Sequence, residues 1–300
     1  MIVILNRAAG TDEKAADLDD EICRLFAAAG AEVSIQHPDE EKDLTKLAQE
    51  AADGADELIV AGGGDGTISA VAGALADTGK ILGVLPLGTL NHFAKDLEIP
   101  LELSEAVATI MHGRVEDVDA GEVNGRVFIN NSSLGLYPRI VTDREKQQER
   151  LSRGKWSAFL WATLRGLHRL PFLNLRLTID GKELERRTAF LFVGNNEYEI
   201  TGFELGGRRC LTAGNLGLYL THRTGRFGLF RLAFSALFGW VKQAKDFDAF
   251  CVTETTIETR QPRLLVATDG EVTQMRTPLV YRARPRALRV MVPQKNAVTP

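Results

Sequence analysis

Leu58-Ile59-Val60-Ala61-Gly62-Gly63-Gly64-Asp65-Gly66-Thr67 is the stretch from which the fold can be read outward. Leu58 to Ala61 is a short apolar run of the kind buried in a parallel sheet, and it stops at three glycines, where the backbone can turn sharply and come close to a ligand. Ile68, Val71, Ala72 and Leu75 then fall on one face at helical spacing, so the unit reads as strand, glycine loop, helix. Such a loop aims backbone N–H groups and the positive end of a helix at one spot, which favours a phosphate there. Asp65 adds a carboxylate, which a polyphosphate repels unless a hard cation lies between them, so this residue points to Mg2+. No Gly-Lys-Ser/Thr follows, which excludes a Walker loop, and the third glycine of G-x-G-x-x-G is missing, which excludes a dinucleotide fingerprint. A turn that is glycine-rich for packing alone would need neither three successive glycines nor the acid.

Upstream, Ile2–Leu5 reads as a buried strand, followed by a loop from Asn6 to Gly10. A helix capped near Thr11 or Asp12 comes next, with Leu18, Ile22, Leu25, Phe26 and Ala29 on its apolar face and Gly30 at its end. Val33 and Ile35 mark a second strand, and Leu44, Leu47, Ala48 and Ala51 a second helix. Downstream, Ile81–Leu85 is a fourth strand closed by Pro86, and Leu87 to Phe93 opens a further helix. This alternation predicts a parallel sheet with helices on both faces and ligands at the carboxyl ends of the strands, where the loops at Asn6, Gly62 and Gly88 all lie.

Beyond the helix Leu103–His112, which is expected to be capped at Ser104, the pattern changes to short alternating runs with hairpin signals at Asn124-Gly125, Asp180-Gly181 and Asp269-Gly270. Strands are predicted at 128–132, 173–179, 188–193, 216–220, 251–259, 264–268, 279–282 and 287–292. The division is an α/β domain over 1–122 and a β-rich domain over 123–283, with 284–300 returning to the first.

Hydrophobic content of 44% and a net charge of -4 fit a globular chain and argue against a nucleic-acid partner. Acids outnumber bases 15 to 5 from Met1 to Glu57, whereas Arg139–Arg169 has 8 bases and 3 acids and Thr221–Lys245 has 5 bases and no acid. Cys23, Cys210 and Cys251 have no metal-ligand spacing and read as buried, reduced thiols, as expected of a cytoplasmic chain. His37, His112, His168 and His222 read as structural or surface residues. The N-terminus lacks the basic flank of a signal peptide, and no apolar run approaches the roughly 20 residues that span a bilayer, so membrane contact is expected to be peripheral, at the inner face.

With Gly62-Gly63-Gly64-Asp65-Gly66-Thr67 joined to Pro86-Leu87-Gly88-Thr89-Leu90-Asn91, the chain resembles the soluble bacterial diacylglycerol kinases, lipid kinases related to sphingosine kinases. The resemblance runs on through Asn6–Gly10, Asn130–Gly135, Gly154-Lys155 and Asp269-Gly270-Glu271. It implies a phosphofructokinase-like nucleotide domain beside a C-terminal β-sandwich, and ATP- and Mg2+-dependent transfer of the γ-phosphate to the hydroxyl of a neutral lipid such as diacylglycerol. By the same resemblance, Asn6, Gly62, Gly63, Gly64, Asp65, Gly66, Thr67, Ile68, Ser69, Gly88, Thr89 and Asn91 would hold the nucleotide, with Asp65 beside the metal. Asp269 and Glu271 would be catalytic, one accepting the proton of the lipid hydroxyl and the other ordering Mg2+ or water, with Glu271 the preferred base of the two. On spacing alone, Asp269-Gly270 is an ordinary hairpin turn.

The chain departs from the family pattern at three places. Asn91-His92 stands where an Asn-Asp is usual, Asn6-Arg7 where an Asn-Pro is usual, and Ala213-Gly214-Asn215-Leu216-Gly217 where Asp-Gly-x-Leu-Asp is common. The last change removes both carboxylates, so no second cation site is expected there. Arg139, Arg144, Lys146, Arg150, Arg153 and Lys155 read equally well as a solvated face or as contacts to phosphates or anionic headgroups. The apolar run Phe227–Val241 reads first as a helix packed under a sheet; the bases Arg223, Arg226, Arg231, Lys242 and Lys245 around it would suit an anionic membrane surface. Two rival readings are a kinase of a soluble substrate, like the NAD kinases, and a nucleotide- or lipid-binding regulator without activity, for which His92 is the argument. A homodimer is compatible with the sequence.

Overall fold

The computed structural model describes residues 1–6, 12–39, 42–135, 172–179, 181–201, 204–208, 210–221 and 247–294. The basic and aromatic segments singled out above at 139–155 and 223–245, with Arg7, Thr11, Asp180, His168 and His222, lie outside the described residues. The chain divides into two units, one of Met1–Ala120, Val127–Asn130 and Pro285–Pro300, the other of Gly121–Arg126 and Asn131–Arg284.

In the first unit the elements run β1 (Ile2–Leu5), α1 (Asp12–Ala28), β2 (Ser34–Gln36), α2 (Leu44–Asp53), β3 (Leu58–Gly63), α3 (Asp65–Leu75), β4 (Ile81–Pro86), α4 (His92–Asp96) and α5 (Leu103–His112). The strands pair in parallel in the order β2-β1-β3-β4, and the second half of the last strand, Leu279–Val292, joins β4 with Arg289 opposite Ile81. Alternation turns Val3, Leu5, Val60 and Leu85 toward one face, where they form a core with Ile22 and Phe26 of α1 and Ala106, Val107 and Ile110 of α5. Each fully buried branched side chain in such a core contributes about 1.5–3 kcal/mol. Ile68, Val71 and Leu75 of α3 are buried too, and α3 packs on α2. Because β1 is flanked by β2 on one side and β3 on the other, the sheet changes winding direction between β1 and β3, and a doubly wound sheet leaves a crevice at that point.

α1 ends as expected, with Gly30 at φ +83°. The cap of α5 differs: Glu102, not Ser104, accepts from the Glu105 N–H at 2.9 Å, and the Ser104 hydroxyl donates to Glu102 instead. These bonds lower the Glu102 pKa, the Ser104 hydroxyl most of all. The cysteines are exposed rather than buried. Cys23 follows the core-facing Ile22 by one helical position, which turns it outward, and Cys251 takes the outward alternation beside buried Val252.

The chain leaves the first unit through β5 (Arg114–Val123) and β6 (Arg126–Phe128). The second unit continues with β7 (Asn131–Gly135), β8 (Leu173–Ile179), β9 (Lys182–Thr188), β10 (Phe190–Asn195), β11 (Tyr198–Thr201), β12 (Glu204–Arg208), β13 (Leu216–Thr221), β14 (Phe247–Val252), β15 (Glu254–Glu258), β16 (Arg263–Thr268), β17 (Glu271–Arg276) and β18 (Leu279–Val292). It is a β-sandwich. One sheet is antiparallel in the order β14-β13-β10-β7-β16-β17, and the other pairs β9 with β8, β8 with β15, and β15 with the first half of β18. A buried bond of 3.0 Å between Ser132 Oγ of β7 and Tyr281 OH of β18 ties the two sheets, and burial pushes the Tyr281 phenol up. β9 and β17, with the sequences Lys-Glu-Leu-Glu-Arg-Arg-Thr and Glu-Val-Thr-Gln-Met-Arg, escaped the strand prediction because edge strands carry charges in place of an apolar run. The runs 279–282 and 287–292 prove to be one strand, whose Pro285 lies where the chain passes from the second unit to the first.

Candidate active site

The crevice between β1 and β3 is built by the glycine loop. The Asn6 N–H donates to the Gly62 carbonyl at 3.0 Å and the Asn6 Nδ2 to Thr67 Oγ1 at 3.2 Å, which fixes the end of β1 against the first turn of α3. On the other side the Leu87 N–H donates to the Gly63 carbonyl at 3.0 Å, bringing the loop after β4 alongside. A Cβ on Gly88 would stand 2.6 Å from the Gly64 Cα and 2.8 Å from Asn91 Oδ1, so the two loops touch through bare backbone. Asn91, only 4% exposed and at φ +50°, locks the second loop: its Oδ1 accepts from the Gly88 N–H at 3.0 Å and its Nδ2 donates to the Gly88 carbonyl at 2.8 Å and the Pro86 carbonyl at 3.2 Å.

α3 begins at Asp65 with Gly64 at its cap, and no side chain caps it. The Thr67 and Ile68 N–H groups turn back onto the Gly64 carbonyl at 3.0 and 3.1 Å, which leaves the N–H groups of Asp65 and Gly66 and the positive end of the helix dipole at the crevice, where they suit a phosphate. Asp65 Oδ1 is buried without a hydrogen-bond partner. An orphaned carboxylate oxygen beside an uncapped helix start has the donor chemistry that Mg2+ prefers. Among the described residues no group of three or more His, Cys, Asp or Glu could hold a metal, so an ion here would take Asp65 together with phosphate oxygens and water.

The structure thus brings together Asn6, Gly62, Gly63, Gly64, Asp65, Thr67, Gly88 and Asn91, with Gly66 inside the first turn of α3. Asn91 acts through the loop it locks. Ile68 is fully buried in the core and its N–H is taken by the Gly64 carbonyl at 3.1 Å, while Ser69 is half-buried one position on. Thr89 and His92 are exposed, His92 opening α4.

Asp269 and Glu271 belong to the second unit. Asp269-Gly270, at φ +48° and +90°, forms the two-residue turn between β16 and β17. Asp269 Oδ1 accepts from the Asn131 N–H at 2.9 Å and its own N–H donates to the Asn131 carbonyl at 2.8 Å, so the turn is fastened to β7. Glu271, 58% exposed, pairs with Arg126, whose other nitrogen donates to Thr273 Oγ1 at 2.6 Å. Arg126 was not singled out from the sequence; its only signal there is the neighbouring Asn124-Gly125 hairpin, which reads as a turn.

Residues 1–123 match the diacylglycerol kinase catalytic domain family, and residues 140–292 match the YegS C-terminal NAD kinase beta sandwich-like domain. A diacylglycerol kinase of Bacillus subtilis (strain 168) is 33% identical over 226 residues, covering 73% of this chain and 73% of that protein. The chain belongs to the diacylglycerol kinase family. A diacylglycerol kinase of Staphylococcus aureus is 28% identical over 207 residues, which are 67% of this chain and 64% of that protein. The fold extends over nearly the whole chain. A Bacillus anthracis structure superposes with a TM-score of 0.72 at 27% identity, covering 97% of this chain and 96% of that one. The crystal structure of a diacylglycerol kinase from the same organism gives 0.68 at 24% identity over the same shares, a likeness of fold.

For a diacylglycerol kinase-family chain the contact between Gly64 and Gly88 yields a direct expectation. Gly88→Ala forces backbone apart from backbone, at about 1–3 kcal/mol for an overpacked site. The melting temperature and the affinity for ATP are both expected to fall, as scanning fluorimetry and calorimetry would show; an unchanged affinity would mean that the two loops do not share a ligand.

Proposed function

We propose that this protein is an ATP- and Mg2+-dependent lipid kinase that transfers the γ-phosphoryl group to the hydroxyl of a neutral lipid such as diacylglycerol. The observation that carries the reading is the uncapped start of α3, with the bare Gly64–Gly88 contact beside it and the orphaned Asp65 oxygen at its first residue. In this reading residues 1–122 bind the nucleotide and 123–283 receive the lipid, with the end of β18 belonging to the first domain.

The α3 N–H groups and the loops held by Asn6 and Asn91 bind and orient the phosphates, so that the γ-phosphorus is presented in one position. When bound beside Asp65, Mg2+ supplies neutralisation of phosphate charge. Glu271 accepts the proton of the lipid hydroxyl as its oxygen bonds to the γ-phosphorus and the bond to the ADP oxygen breaks. Arg126 keeps the Glu271 carboxylate oriented, and Asp269, fastened to Asn131, holds the turn that carries it.

No helix among the described residues is long and apolar enough to cross a membrane. In this reading the lipid is taken up by peripheral contact at the inner membrane face, with the basic aromatic stretch 223–245 as the candidate surface on composition. A second reading, phosphorylation of a soluble nucleotide, draws on the NAD kinase-like description of the matched C-terminal domain. Radiolabelled ATP and Mg2+ offered with diacylglycerol vesicles and with NAD separates the two: label is expected in the lipid, and label in NAD alone would overturn the lipid-kinase reading.

A further inference from the structure

The β16–β17 hairpin carries a second site at the end away from its Asp269–Gly270 turn. Arg263 and Arg276 stand directly opposite each other in the ladder. Counting from the two-residue turn, hydrogen-bonded and non-hydrogen-bonded pairs alternate, and the Arg263–Arg276 pair is non-hydrogen-bonded, the closer kind, with Cα atoms about 4.5 Å apart. Like charges placed so are destabilising unless something neutralises them. Both arginines are exposed, and among the described residues neither has a carboxylate within ion-pair distance. Glu271 cannot serve, because alternation along β17 turns Glu271 and Thr273 toward Arg126 and turns Arg276 to the other face.

Arg263 and Arg276 line an open pocket of about 790 Å³ together with Gln261, Pro262 and Thr277. Its rim is tied in place. The Thr277 N–H donates to the Pro262 carbonyl at 3.2 Å, the Thr277 hydroxyl to the Gln261 carbonyl at 2.7 Å, and Asn124 Nδ2 to the Arg276 carbonyl at 3.1 Å. Arg260 adds a third exposed cation just before the pocket, and Leu265, 38% exposed, lies on the same face as Arg263 one alternation further along β16. Six residues of strand put the pocket about 20 Å from the Asp269 turn, so it is separate from the proposed base.

We propose that this pocket binds a phosphate group, clamped between Arg263 and Arg276. Paired planar guanidinium forks match phosphate oxygens two by two, which a point charge does not. The group could be carried on an anionic lipid headgroup, with Leu265 against the lipid, or be free phosphate; the chemistry of the clamp is shared.

The test uses the full chain and the double variant Arg263→Gln/Arg276→Gln, with each single variant alongside. In phosphate-free buffer the double variant is expected to melt about 1–2 °C above the wild type, because the repulsion is gone, and added inorganic phosphate is expected to raise the wild-type melting temperature more than that of the variant. Cosedimentation with phosphatidylglycerol and phosphatidylcholine vesicles separates the sources. A loss of about tenfold or more in binding to phosphatidylglycerol alone assigns the site to a lipid headgroup; unchanged vesicle binding with a lost phosphate response assigns it to free phosphate. Turnover on a short-chain soluble lipid should persist in either case. A double variant that responds to phosphate and to both vesicles as the wild type does would overturn the proposal, as would one that melts below the wild type in phosphate-free buffer.

Discussion

Asp65→Asn is expected to lower phosphoryl transfer by about 10²- to 10³-fold, a loss of roughly 3–4 kcal/mol of charge stabilisation, without lowering the melting temperature of the ligand-free protein. The second half of this expectation is what distinguishes a ligand role from a structural one. Asp65 Oδ1 is buried and makes no hydrogen bond, so the substitution breaks no contact of that atom. A structural carboxylate would behave in the opposite way, because truncating a satisfied buried charge is destabilising. The decisive comparison is the melting temperature with and without ATP and Mg2+. The wild type should gain stability from the mixture by mass action, and the variant should gain much less. Full activity with an unchanged melting response would remove Asp65 from the site.

Glu271→Gln is expected to reduce turnover by about 10²- to 10⁴-fold, the range for loss of a general base, while the affinity for ATP stays within about twofold. The fold should tolerate the change. Glu271 is 58% exposed and its pair with Arg126 lies at the surface, where such pairs contribute at most about 1 kcal/mol. Asp269→Asn is the control that separates the two acids. Asp269 holds the Asn131 N–H through Oδ1, a bond that the Asn oxygen can keep, so a role in positioning the turn predicts a milder loss than that of Glu271→Gln. If Asp269→Asn is the more damaging of the two, the base has been assigned to the wrong carboxylate. A rise in the Michaelis constant for ATP with unchanged turnover in Glu271→Gln would instead move Glu271 to the nucleotide side.

Much of the first unit was legible because its signals are local. Ile59, Val60 and Ala61 form an apolar run of the kind that a sheet buried on both faces uses, and Gly62 to Gly64 can be read as close-approach positions with no knowledge of their neighbours. The first turn of α3, the hairpins at Asn124-Gly125 and Asp269-Gly270, and the end of α1 at Gly30 follow from backbone chemistry of the same short range. What was hidden depends on partners far along the chain. Charged β9 and β17 become strands because an apolar neighbour on one side supplies the ladder while the other side pairs with no strand among the described residues, and no residue within them announces it. Arg126 reaches Glu271 across 145 positions of sequence. Asn131 meets Asp269 across 138. The facing arginines 263 and 276 are set by the register of the hairpin. The sequence by itself determined the alternation of strands and helices in the first unit and the glycine loop between β3 and α3, since φ/ψ preference and hydrophobic period act over a few residues. The tertiary structure alone decided which charges meet, because side-chain electrostatics acts through space and the chain brings those groups together only after the sheets have paired.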